Sequence, residues 1–268
     1  MIDEGKRNLI GINIDAVDYE RAVARIAACA QSGNRCSTTA LAVHGLVTGA
    51  RDPEHRFRLN HFDLVVPDGQ PVRWALNLLY GVKLPDRVYG PNLTHRLCRV
   101  AAKEGIPVFF YGSTKSVIEK LCARITALCP GLEIAGASAS EYRTLTTDER
   151  TAVVKRIQSS EARLLFVGLG CPRQEVFAYE MSEQLSMPII AVGAAFDYYA
   201  GLLREPPEFI QRAGLQWLYR LAQEPGRLWK RYLFTNSQFI ALFGMQASRV
   251  WRPDPDRSEK PSVELRYG

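Results

Sequence analysis

Apolar residues run through this chain in two rhythms. FDLVV (62–66), PVFFY (107–111), RLLFVG (163–168) and PIIAVG (188–193) are short, nearly unbroken apolar runs that each end at a glycine- or proline-bearing turn. Between them, apolar positions fall three and four residues apart. Unbroken runs of this length read as strands buried on both faces, and the spaced stretches read as amphipathic helices. Residues 18–31, DYERAVARIAACAQ, predict a helix capped by Asp18, whose carboxylate can accept an otherwise unpaired backbone N–H. A helix is expected from Pro71, where a missing N–H does no harm. Another follows Ser113 through SVIEKLCARITAL, with Ser113 as its cap. Thr146 and Glu149 form a T-x-x-E capping box before AVVKRIQ, and a further helix opens near Pro172. A weaker strand is expected at 133–136.

Strands alternating with helices at this spacing predict an α/β protein with a Rossmann-like, mostly parallel sheet and helices on both faces. After Gly201 the strand pattern ends. Residues 206–250 read as helical, punctuated by Gly214, Pro225-Gly226 and Gly244. The expected organisation is an α/β catalytic core over 1–201, a helical membrane-associating appendage over 202–250, and a flexible, polar, proline-rich tail over 251–268.

Composition narrows the class. Of 268 residues, 47% are hydrophobic and 23% charged, as in soluble globular proteins. MIDEGKRNLI is no secretory signal, and no apolar run reaches the roughly 18 residues that span a bilayer, so a cytoplasmic protein is expected. The six cysteines (29, 36, 98, 122, 129, 171) contain no CxxC pair and read as free thiols. The four histidines (44, 55, 61, 95) show no metal-binding spacing, so no metal site is expected. Asp254-Pro-Asp256 is formally a DxD but lies in the tail, away from any strand end. The net charge is +6, and Pro225 to Arg252 carries Arg227, Lys230, Arg231, Arg249 and Arg252 with no acid. Such a segment calls for an anionic partner. Its interleaved aromatics, Trp217, Tyr219, Trp229, Tyr232, Phe234 and Phe239, fit either a membrane-interface helix or packing against the core.

In parallel sheets ligands bind beyond the carboxyl ends of the strands. Four turns there carry chemistry: Asp68-Gly69, Gly112-Ser113, Gly168-Leu169-Gly170 and Gly193-Ala194. VGLGCPRQE (167–175) sets two glycines at a strand end and a helix start just beyond, a place where a phosphate or sugar can approach the backbone. It lacks the third glycine of a dinucleotide fingerprint. Asp68 can act as a general base or merely close an Asx-turn. Arg87 reads as a diphosphate ligand or a surface charge. Arg220, Arg227 and Lys230, spaced seven and three apart, form a cationic clamp only if Pro225-Gly226 does not disrupt their alignment.

These motifs occur in one order. PDGQPV, RVYGPNL, FFYGS, Pro130-Gly131-Leu132, VGLGCPRQE, VGAAFDYYAG and GLQWLYRLAQEPGRLWKRY together resemble the WecG/TagA/CpsF family of glycosyltransferases over roughly residues 8–235. The resemblance implies an inverting, metal-independent transferase without a cofactor. Its expected partners are a UDP-sugar donor, a polyprenyl-diphosphate-linked glycan acceptor and the anionic inner face of the cytoplasmic membrane. No nucleic acid is expected, and a homo-oligomer is a further expectation. It implies Asp68 as base, Arg87 at the donor phosphates, Thr39 and Gln174 in the sugar pocket, and Arg220, Arg227 and Lys230 toward the diphosphate. Gly69, Gly112, Ser113, Gly168, Gly170 and Asp197 complete the expected substrate site. The chain departs from the family's T-x-N with Ala40-Leu41 after Thr39, and from its G-x-D-L with Gly90-Pro-Asn92-Leu. Gln216 stands where glutamate is common and Lys230 where arginine is common. These departures point to a donor other than N-acetylmannosamine. Two competing readings are an NAD-dependent sugar-nucleotide oxidoreductase or epimerase, and a non-enzymatic basic peripheral membrane protein. The absent third glycine and absent Tyr-x-x-x-Lys pair weigh against the first. The second gives no reason for Asp68, Gln174 and Asp197 to gather at strand ends.

Overall fold

The computed structural model describes residues 1–268, apart from the side chains of Glu208, Arg227 and Arg231. The chain opens with an antiparallel hairpin, β1 (Asp3–Leu9) and β2 (Ile12–Val17), which the hydrophobic pattern alone did not announce. Its two-residue turn, Ile10-Gly11, has positive φ at both positions (47° and 95°), as a tight hairpin turn requires. Asp15 on β2 accepts the backbone N–H of Val65 at 2.7 Å and pairs with Lys6 and Arg25, tying the hairpin to the sheet edge.

The main sheet contains β3 (Cys36–Leu41), β4 (Leu64–Pro67), β5 (Val108–Gly112), β6 (Ile134–Ser138), β7 (Leu164–Gly168) and β8 (Pro188–Ala191). All pairings are parallel and the order is β4-β3-β8-β7-β5-β6. The apolar runs form strands because both of their faces are covered. On β5, Phe109 and Tyr111 enter one core while Val108 and Phe110 enter the other. The first core is closed by α2 (Val43–Arg51), α3 (Pro53–Asn60), α4 (Gln70–Tyr80), α7 (Thr147–Gln158) and α8 (Arg173–Met181). The second is closed by α1 (Tyr19–Ser32), α5 (Gly90–Glu104), α6 (Lys115–Leu128) and α9 (Ala195–Tyr199). This is the Rossmann-like α/β arrangement expected from the alternation.

Helix boundaries follow the capping chemistry with one displacement. Asp18 accepts from Arg21 N at 2.9 Å, and Thr146 and Glu149 form the reciprocal capping box. The cap of α6 is Thr114 rather than Ser113. Ser113 is held at φ 56° with its N–H on the Gly168 carbonyl, 3.0 Å away, so it belongs to the loop at the strand end.

Beyond Gly201 the chain is helical: α10 (Glu208–Arg212), α11 (Gln216–Gln223) and α12 (Pro225–Ala247). Pro225 separates the last two, with Glu224 at φ −133°, ψ 56° between them. The appendage rests on the core through the buried Phe239, with Leu242 and Phe243 packed against the same cluster. Gln246 closes its far end by accepting from Ile10 N at 2.8 Å and donating to Asn8 O at 2.9 Å. Residues 251–268, whose composition suggests a loose tail, run along the core surface. Asn8 and Asn60 donate to the carbonyls of Pro253 and Pro255, and Glu180 accepts from the backbone of Leu265 and Arg266. The backbone groups of this polar segment find partners on the core, which composition cannot show.

Candidate functional site

Adjacent strands β3 and β8 send their following helices to opposite faces of the sheet: α2 joins one core and α9 the other. A crevice opens where the helices diverge. It is polar, with a volume of about 280 Å³, and its walls include Ser113, Gly168, Gly170, Gln174, Gly193 and Asp197. The turns after β5, β7 and β8 thus converge as the pattern required. Gly112 lies just behind them. At φ 124° it adopts a backbone that L-residues avoid, and a Cβ there would meet the Gly168 carbonyl oxygen at 2.6 Å.

The crevice floor is a buried polar chain. Thr39 at the end of β3 donates to Glu175 Oε1 at 3.2 Å, and Gln174 Nε2 donates to the same oxygen at 2.8 Å. Glu175 accepts both bonds at once, which fixes the Gln174 amide with its nitrogen inward. Gln174 Oε1 is left as an unpaired acceptor beside Gly193. Thr39 is fully buried and therefore positions this pair from behind. Burial raises the Glu175 carboxyl above its ordinary value, opposed by the bonds from Gln174 and Thr39.

Asp68 stands at the end of β4, its backbone N–H on the Leu41 carbonyl at 3.1 Å. Its carboxylate accepts from the N–H of Gly90, at the positive end of α5. Gly90 is required by close approach: a Cβ would come within 3.1 Å of the Val192 carbonyl and 3.7 Å of Asp68 Oδ2. Desolvation dominates and raises the Asp68 carboxyl to about 6, opposed by Arg87, by the Gly90 N–H and by Arg220. A carboxyl near 6 is suited to taking a proton at neutral pH. Arg87 is buried, with its guanidinium over the Tyr89 ring at 4.3 Å. Its loop is aligned by Asp86, which accepts from Arg87 N at 2.8 Å and from Gln70 Nε2 at 3.0 Å, and by Val88 N on the Pro67 carbonyl at 2.9 Å. The PDGQP and RVYG motifs are thereby one structural unit.

On the other side of Asp68 lies a second cavity of about 610 Å³, between α4 and the appendage. Its walls are apolar, with Trp74, Leu78, Trp217, Phe239, Ile240 and Phe243 among them, while Gly69 and Arg87 line it near Asp68. Asp68, His44, Tyr89 and Arg220 border both cavities. Arg220 on α11 pairs with Glu224 at 3.5 Å, its Nε is buried without a hydrogen-bond partner, and its charge acts on Asp68.

The fold therefore brings together Asp68, Arg87, Gly69, Ser113, Gly168, Gly170, Gln174, Asp197 and Arg220, with Thr39 and Gly112 immediately behind. Lys230 is exposed, near Trp229, and lines neither cavity. The side chain of Arg227 lies outside the described residues. Sequence reasoning passed over Glu175, although it completes the PRQE motif, and overlooked the apolar cavity. Its signal was present in Trp74 and Leu78, one helical turn apart on α4, facing away from the core.

A polar crevice at the carboxyl ends of a parallel sheet, with a carboxyl and two arginines beside it, is the ligand-binding corner of a Rossmann-like α/β protein. The chain belongs to the glycosyl transferase WecG/TagA/CpsF family, whose signature matches residues 7–253, and it is a glycosyltransferase. It is similar to the N-acetylglucosaminyldiphosphoundecaprenol N-acetyl-beta-D-mannosaminyltransferase of Bacillus subtilis, at 31% identity over 80% of this chain and 81% of the relative. The protein of that name from Bacillus spizizenii is 33% identical over 68% of this chain and 69% of the relative.

Proposed function

We propose that this glycosyltransferase moves a sugar from a UDP-sugar, held in the polar crevice, to a hydroxyl of a glycan carried on polyprenyl diphosphate. The observation that carries this reading is the shared wall. Two cavities of opposite polarity meet at Asp68 and Arg220. The polar one suits a nucleotide sugar, and the apolar one suits the start of a lipid. The two relatives act, by name, on an undecaprenyl-diphosphate-linked N-acetylglucosamine, which agrees with such a pair of substrates.

The chemistry is a single displacement with inversion. Asp68 takes the proton of the acceptor hydroxyl as its oxygen attacks the anomeric carbon. The bond from that carbon to the diphosphate breaks on the opposite face, and UDP leaves. Arg87 and Arg220, with Arg227 assigned by its motif, meet the charge that grows on the diphosphate, together with backbone N–H groups of the strand-end turns. No metal bridges the diphosphate in this scheme. Gln174 Oε1 is the acceptor that a sugar hydroxyl can engage. Leu41 and Ala40 line the crevice where the family motif places asparagine two residues after threonine. We therefore propose glucose or another hexose as the first candidate donor, in place of the N-acetylmannosamine that the names of the two relatives carry, with another N-acetylhexosamine as the alternative.

The appendage also docks the enzyme on the cytoplasmic leaflet. No described helix is long and apolar enough to cross a membrane. Phe209, Leu233 and Phe234 are more than half exposed, and Lys230 of α12 is exposed as well, which suits burial in an interface of acidic lipid.

The test is transfer in detergent, with UDP-glucose, UDP-galactose, UDP-N-acetylglucosamine and UDP-N-acetylmannosamine offered against polyprenyl-diphosphate-linked mono- and oligosaccharides, products read by mass spectrometry. Hexose transfer that needs no added magnesium or manganese and is lost in Asp68→Asn is expected. Preference for UDP-N-acetylmannosamine overturns the donor assignment. No transfer from any nucleotide sugar overturns the reading itself.

A further inference from the structure

Behind the crevice floor, three side chains from separate parts of the chain converge: His55 of α3, Cys171 of the loop after β7, and Glu175 of α8. One ligand atom from each lies within 4.8 Å of the others. The spacing of histidines and cysteines along the sequence did not reveal this cluster, because the fold alone brings His55 to the PRQE turn.

Two features distinguish it from ordinary core packing. His55 is 2% exposed, and neither of its ring nitrogens has a hydrogen-bond partner. Glu175 is 1% exposed. Its Oε1 is used by Thr39 and Gln174, Oε2 is buried with no conventional partner, and the Cys171 thiol is the group that reaches the carboxylate from this side, a weak thiol contact that a metal would replace. Buried polar atoms in folded proteins are almost always satisfied, and leaving several unsatisfied in one place is costly. A cation removes the deficit. Around a tetrahedral zinc ion, nitrogen, sulfur and oxygen ligands stand roughly 3.5 Å apart, so the three side chains, within 4.8 Å of one another, close by up to about 1.3 Å on binding. The donor set also selects the metal: imidazole, thiolate and carboxylate suit zinc or cobalt, whereas magnesium and calcium take oxygen ligands. Entry is open, since Cys171 and Glu175 both border the crevice.

We propose that His55, Cys171 and Glu175 form a binding site for one divalent transition-metal ion of the zinc type, behind the sugar pocket. On binding, the Cys171 thiol releases its proton to solvent, a sulfur–metal bond forms, and Glu175 stays ionised. The ion thereby holds the carboxylate that orients the Gln174 amide, so all three ligands act as positioning residues. The site is separate from the diphosphate and has no part in the displacement.

The test is titration of chelator-stripped full-length protein with cobalt(II), followed by absorption. The expected result is a near-ultraviolet thiolate-to-cobalt band that saturates at one equivalent, is bleached by zinc, and is absent in Cys171→Ser. Zinc should raise the Tm of the stripped wild type, and magnesium or calcium should leave it unchanged. His55→Gln should weaken cobalt binding at least tenfold; if that variant does not fold, the wild-type and Cys171→Ser titrations still decide. Absence of the band in wild type, or its persistence in Cys171→Ser, overturns the proposal. Neither readout involves sugar transfer, so this site and the transferase scheme stand or fall separately.

Discussion

As the proposed base, Asp68 sets catalysis against stability at one side chain. Its carboxyl lies at about 6 in the fold against an ordinary 3.8, so the folded protein binds this proton more tightly than the unfolded chain. Stability from the protonated form is complete below the ordinary value and is lost as pH rises through about 6. Asp68→Asn removes that loss. It should match wild type in stability near pH 4 and exceed it by about 1–3 kcal/mol at pH 8, measured by urea unfolding at both pH values. Transfer runs the other way. Wild-type kcat/KM should climb with pH and level off above about 6, and Asp68→Asn should lose roughly a hundredfold or more. A variant both unstable and inactive at pH 8 would place Asp68 among structural residues. Gly112 offers a purely conformational counterpart. Gly112→Ala forces a Cβ toward the Gly168 carbonyl and should lower stability by at least about 1–3 kcal/mol in the same measurement.

Among the elements, α7, α8 and the last residues are fastened together by one carboxylate. Glu180 pairs with Arg150 at 2.7 Å, both nearly buried, and also accepts from Leu265 N and Arg266 N. Glu180→Ala leaves Arg150 only the looser pairing with Glu264 at 3.6 Å and should cost up to about 3 kcal/mol. It should also speed protease cleavage near residue 265, and unchanged cleavage would mean that the terminal segment is held by its other contacts. This junction illustrates what the sequence could and could not reveal. The buried strands, Asp18 as a cap and the Thr146–Glu149 box were legible because each depends on neighbours within a few positions. The strand-end turns were legible because parallel sheets collect ligands there. The β1–β2 hairpin, the path of residues 251–268 along the core and the apolar cavity were not, because each depends on partners far along the chain: Asp15 with Val65, Asn60 with Pro255, Trp74 with Phe239. Glu175 was visible in its motif, but only its bonds to Thr39 and Gln174 disclose what it does.

For the whole molecule, the decisive relation is between the apolar cavity and the surface around it. Trp74, Leu78, Trp217 and Ile240 both line the cavity and face outward, so a lipid chain entering there need not leave an apolar path. Replacing Phe209, Leu233 and Phe234 together with serine should reduce co-sedimentation with anionic vesicles at least tenfold, while transfer to a detergent-dispersed acceptor persists. Undiminished sedimentation would remove the appendage from membrane docking. Raising salt should weaken the residual attachment, as expected for Lys230, Arg249 and Arg252 near charged headgroups. The strand order carries a separate consequence, for how the protein is made. The last strand synthesised, β8, lies between β3 and β7 and joins two half-sheets that have no other pairing between them. Until Ala191 has left the ribosome, β3 and β7 each present an open edge, the kind of surface through which nascent chains aggregate. A chain halted at residue 187 should therefore be insoluble, and the full protein should depend on chaperones during translation more than its finished stability suggests.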